Sequence, residues 1–73
     1  MAIKDDLKLY LNEQIGKKAS PIFLKRALTL IEESATDKES LISSAEKVSK
    51  MISLFIDKSL ASEVLDGLKS KID

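Results

Sequence analysis

The sequence predicts an all-α protein, a small bundle of four helices in antiparallel succession. Three observations predict it. Apolar residues recur at separations of three and four along most of the chain, the repeat of a helix with one buried face. No stretch sustains the alternation of apolar and polar residues that marks a strand, and no Asn-Gly or Asp-Gly turn stands between two such runs. Breakers are scarce, with two Gly and one Pro in 73 residues.

The first helix is expected from Ile3 or Lys4 to Ile15. Ile3, Leu7, Leu11 and Ile15 repeat every four residues, with Tyr10 beside them. Asp5 and Asp6 fall in the first turn, where carboxylates favour the positive end of the helix dipole. Gly16 follows the last apolar position and suits a C′ residue with positive φ. Lys17 and Lys18 then lie near the last carbonyls.

The second helix, over about 21–34, begins at Ser20-Pro21. Ser20 is a natural N-cap, and Pro21 fits the first helical position because its missing N–H goes unused there. Phe23, Leu24, Ala27, Leu28 and Ile31 form an inner face, which Ile22 and Leu30 broaden. Contact on two sides is therefore expected.

The third helix, over about 37–56, is the longest, at about twenty residues and roughly 30 Å. Leu41, Ala45, Val48, Ile52 and Phe55 make its stripe, widened by Ile42 and Met51. Thr36-Asp37-Lys38-Glu39 reads as a capping box with Thr36 as the cap. The fourth helix, over about 59–72, has Asp57 and Ser59 as candidate caps and Leu60, Val64, Leu65, Leu68 and Ile72 as its face. Gly67 lies inside it, at about 1 kcal/mol below Ala in helix propensity. It marks either a close contact with another helix or a weak final turn. Connections of about two to five residues suit sequential neighbours in one domain over residues 1–73.

Composition narrows the function. Twelve basic and twelve acidic residues cancel, which argues against a chain built chiefly to coat nucleic acid or anionic membrane. With no Cys and no His, disulfides, thiolate or imidazole metal sites, and cysteine or Ser-His catalysis are excluded within this chain. No apolar run approaches the length that spans a bilayer. The N-terminal MAIKDDLKLYL carries acids where a secretory signal is basic and then apolar, so a cytoplasmic location is expected. Asp5-Asp6 and Glu32-Glu33 are adjacent pairs, and neighbours on a helix diverge by about 100°. The serines fall in no Gly-x-Ser-x-Gly elbow. The expectation is a chain without catalytic, cofactor or metal residues.

Two features remain. Lys17, Lys18, Lys25 and Arg26 form a local basic cluster, which serves helix solubility or docks an acidic partner or a phosphate backbone. Leu9, Ile22, Leu30, Leu54 and Ile56 fall off or at the edge of the stripes. Of these, Leu30, Leu54 and Ile56 are the candidate interface for a protein partner or a second copy, which makes a contiguous patch informative.

The run IGKKASPIFLKRAL, followed by ATDKESLISSAEKV and FIDKSLASEVLDGL, resembles a small helical module appended to prokaryotic signalling proteins of the Roadblock, forkhead-associated and Ser/Thr-kinase types. The shared features are the Ile15-Gly16 break, the basic pair before Ala27, an Asp-led cap and Leu41 with Ala45, over Ile15–Leu68. The family carries Gly-Pro-Ile at the break, where this chain has Gly16-Lys17-Lys18 and places Pro21 later. The resemblance implies an accessory protein–protein interaction role with no catalytic residues to carry over. The function expected is thus a non-enzymatic interaction or regulatory module acting through an apolar helix face. The alternative is a nucleic-acid-associated regulator using the basic cluster.

Overall fold

Four helices, α1 (Ile3–Ile15), α2 (Pro21–Glu32), α3 (Lys38–Phe55) and α4 (Lys58–Ile72), make up the computed structural model, which describes residues 3–73. No strand occurs among the described residues. The reading of the N-terminal segment takes in Met1 and Ala2, which lie outside them.

Side-chain caps set where three of the helices begin. The Ser20 Oγ accepts from the Phe23 N–H at 3.2 Å, and Pro21 follows as the first residue of α2. An Asp57 carboxylate oxygen accepts from the Leu60 N–H at 2.9 Å, so Asp57 rather than Ser59 opens α4. At α3 the expected cap is displaced by one residue. Asp37, not Thr36, accepts from the Ser40 N–H, at 3.0 Å. A carboxylate adds charge complementarity to the helix dipole that a threonine hydroxyl lacks. Glu39 is then only two residues past the cap, and the reciprocal capping box does not form.

Gly16 also departs from expectation, because no glycine among the described residues has positive φ. Its N–H continues the helical pattern to the Asn12 carbonyl at 2.8 Å, and the Ala19 N–H reaches the Ile15 carbonyl at 2.9 Å. A Cβ at position 16 would run into the Asn12 carbonyl oxygen. Closeness of the backbone, not a left-handed conformation, is what asks for glycine there.

The helices close a ring. α1 packs on α2 and α4, α3 packs on α2 and α4, and among the described residues neither diagonal pair brings its backbones close. Lys4 Nζ reaches the Glu32 carbonyl at 2.8 Å, the Phe23 and Phe55 rings meet, and Lys38 pairs with Asp73 at 2.7 Å. Each tie joins the start of one helix to the end of the next, so the succession is antiparallel. The 18 residues of α3 span about 27 Å, nearly the 28 Å length of the whole molecule.

The core comprises Leu7, Leu11 and Ile15 from α1, Ala27 and Ile31 from α2, Leu41, Ala45, Val48 and Ile52 from α3, and Leu60, Ala61, Val64 and Leu68 from α4. Two serines are buried with it, and the Ser49 Oγ donates to the Ala61 carbonyl at 3.0 Å, tying α3 to the first turn of α4.

Phe55 leaves the stripe predicted for it. It is 74% exposed, while Ile56 packs against the core. Phe55 and Ile56 lie three and four residues beyond Ile52, on opposite sides of the stripe and each about 50° from its line, so the helical repeat does not choose between them. The chain turns at Ile56, with φ −125° and ψ −74°, and that side chain goes inward instead. No helix among the described residues is long and apolar enough to cross a membrane.

Candidate functional site

The start of α2 and the end of α3, each carrying one phenylalanine, build the most distinctive surface. Only Ala27 and Ile31 of α2 are fully buried, and Ala27 fills little space. The start of α2 therefore leans on the end of α3 through half-covered side chains. The Phe23 and Phe55 rings meet edge to face, with centroids 6.0 Å apart and planes at 71°, a favoured aromatic geometry. Around them lies an open trough of about 420 Å³, lined by Ile22, Phe23, Met51 and Phe55 together with Ser20 and Arg26. Ile22 is 80% exposed and Leu54 is 69% exposed. Leu54 stands three residues along α3 from Met51, on the adjoining face.

The far end of the same α2–α3 seam is polar. Glu33, Asp37, Glu39, Ser40 and Ser43 border it, with Lys47 at the middle of α3. The Asp37 carboxyl is held below the usual carboxylate range by the backbone N–H of Ser40. A third groove runs between α1 and α2, over Leu24 and Leu28, and is flanked by Lys8, Lys25 and Glu32. Lys8 and Glu32 close it with a 2.7 Å ion pair. Their hydrogen bond raises the Lys8 pKa and lowers that of Glu32.

Of the three apolar residues expected at an interface, the structure exposes only Leu54. Leu30 and Ile56 are half-buried against the core. Both sit beside a stripe closely enough for a neighbouring helix to cover them. The residues that do share a surface, Ile22, Phe23, Met51 and Phe55, come from two helices. Their meeting depends on how far α2 leans, which no periodicity states. The one signal available was Ile22, off its own stripe beside a helix start.

The four basic residues are all exposed, and none takes part in an ion pair among the described residues. Lys17 and Lys18 lie in the α1–α2 turn, Lys25 borders the α1–α2 groove, and Arg26 borders the apolar trough.

Among the described residues no three carboxylates gather where a metal ion would be held. No buried side-chain nitrogen or oxygen lacks a hydrogen-bond partner among them either. The lining of the trough offers apolar contact area and one cation, Arg26. Compared with protein families, with curated proteins and with solved structures, the chain finds no match in any of the three.

Proposed function

We propose that this chain is a non-enzymatic protein–protein interaction or regulatory module of the cytoplasm that binds through the trough between α2 and α3. The observation that carries the reading is the grouping of Ile22, Phe23, Met51 and Phe55 on one open surface, with Ile22 and Phe55 largely bare. Large apolar side chains grouped this way in a small domain mark a contact surface. Buried aromatic anchors with a charged rim are how interfaces gain affinity and orientation. The likeness of Ile15–Leu68 to accessory modules of prokaryotic signalling proteins supports the same reading.

The test replaces Ile22 and Phe55 together by Asp. Ile22 and Phe55 are largely exposed, so the double variant should stay folded by circular dichroism with a melting temperature lowered only by the loss of the Phe55 edge contact with Phe23, while proteins retained from the native lysate by the unaltered chain should be lost. Equal capture by both forms would overturn the reading. Melting over a roughly hundredfold concentration range separates self-association, which raises the melting temperature with concentration. A second reading, nucleic-acid association, is favoured by the four uncompensated cations. It predicts salt-sensitive submicromolar binding to duplex DNA or RNA that is lost when Lys25 and Arg26 become Glu.

A further inference from the structure

We infer that the occupant of the α2–α3 trough is an amphipathic helix whose apolar anchors are flanked by acidic side chains, an inference that rests on the interaction reading above. Charge complementarity carries it. From Gly16 to Ile31 the chain has four cations and no acid, and from Lys47 to Ile56 it has two cations and no acid. The edge contact of Phe23 with Phe55 brings these two segments together. The trough they form is lined by apolar side chains, Ser20 and one cation, Arg26, with no acid among its lining residues, and the nearest acid past the end of α3 is Asp57, beyond Ile56.

The placement of the cations is specific. Arg26 lines the trough itself, and no acid does. Lys47 stands one helical turn before Met51, where the trough gives way to the polar end of the seam bordered by Glu33, Asp37 and Glu39. Lys50 is exposed one turn before Leu54. Anchors entering between Ile22 and Phe55 would thus carry their neighbouring residues past Arg26 on one side and the α3 lysines on the other. Carboxylates there form rim pairs, whereas lysines there meet like charge, which suppresses the wrong partner and slows encounter.

The same charges disfavour a second copy. A two-fold contact through this trough uses the same patch twice and sets both acid-free segments face to face. A phosphate backbone finds no partner among Ile22, Met51 and Phe55. An anionic membrane matches the charge but not the concavity, because the anchors line a trough between helices that a helix fills from above.

The experiment is selection from a displayed library of amphipathic helices, in which anchor positions carry Leu, Ile, Phe or Met. Flanking positions carry Asp, Glu, Lys, Arg, Ser or Gln at equal frequency. The bait is the folded chain, with Phe55→Asp as the control and circular dichroism to confirm that the control is helical. Enrichment of Asp and Glu at the flanks, with binding of a selected peptide weakened about tenfold or more by Phe55→Asp, is the expected result. In the Arg26→Glu, Lys47→Glu double variant the enriched flanks should become basic. Enrichment of neutral or basic flanks on the unaltered chain would overturn the acidic partner and leave the interaction reading standing. No enrichment over the Phe55→Asp bait would overturn both. Sedimentation with phosphatidylserine vesicles that is abolished by Phe55→Asp, without peptide enrichment, would replace the helix by a lipid surface.

Discussion

The Tyr10 ring lies where the side chain of any residue other than glycine at position 67 would have to be. A Cβ built on Gly67 collides with the phenol oxygen and the adjoining ring carbons. The hydroxyl sits 3.5 Å from the Glu63 carbonyl, one turn earlier on α4, and the Lys71 ammonium lies 5.3 Å from the ring centroid, within cation–π range. The internal glycine of α4 is therefore a close contact between helices and not a weak final turn.

That contact sets the sign of a substitution. On helix propensity alone Gly67→Ala should stabilise by about 0.5–1 kcal/mol. Here the methyl group displaces the Tyr10 ring and forfeits its packing on α4, so that gain should be missing. In a Tyr10→Ala background the obstacle is gone and the gain should return. A double-mutant cycle by urea denaturation measures the coupling. Because the chain has one Tyr and no Trp, tyrosine fluorescence reports the displacement directly. Equal effects of Gly67→Ala in the two backgrounds would remove Tyr10 from the account.

The helix start of α3 gives a second outcome. Asp37→Ala should lower the melting temperature, because the Ser40 N–H loses its acceptor at the positive end of the helix. Thr36→Ala, one residue earlier and exposed, should leave it nearly unchanged. Thermal melts followed by circular dichroism check the pair, and the reverse order would return the cap to Thr36.

Acid should weaken the α1–α2 seam. The Glu32 carboxyl is held below the usual carboxylate range chiefly by its hydrogen bond with Lys8. A depressed pKa in the folded state contributes stability above the pKa of the unfolded chain, and that stability is lost as pH falls through the folded value. The unaltered chain should therefore melt above Glu32→Gln near neutral pH, with the gap closing in acid below the ordinary glutamate range. At alkaline pH the sign is carried by Lys8, whose raised pKa gives stability that is lost as pH rises through it. Both groups are exposed, so added salt should shrink the gap. Melting temperatures against pH and salt for the two forms provide the check.

The two apolar positions at the end of α3 should respond very differently. Ile52 is fully buried, and Ile52→Ala should cost about 2–5 kcal/mol. Phe55→Ala should cost no more than about 1.5 kcal/mol, the worth of its edge contact with Phe23. Equilibrium unfolding in urea distinguishes them, and equal costs would put Phe55 back in the core.

Much of the fold was legible because its signals are local. The caps at Ser20 and Asp57 use a side chain and an N–H three residues apart. The stripes Leu7-Leu11-Ile15 and Leu41-Ala45-Val48-Ile52 lie within single helices and fix which face of each is buried. Thr36 and Asp37 show the limit of local reading, since both are good caps and the choice rests on which residue first turns helical. Legibility was poorest at the margins of the stripes, where Leu30 and Ile56 were expected outside and Phe55 inside. Whether a residue at the margin of a stripe is covered depends on the neighbouring helix, its rotation and the point where it ends. The number, order and inner faces of the helices were thus determined by the sequence itself. The lean of α2 on α3, the inward turn at Ile56 and the meeting of Tyr10 with Gly67 were decided only by tertiary packing, because they depend on distances between residues far apart in the chain.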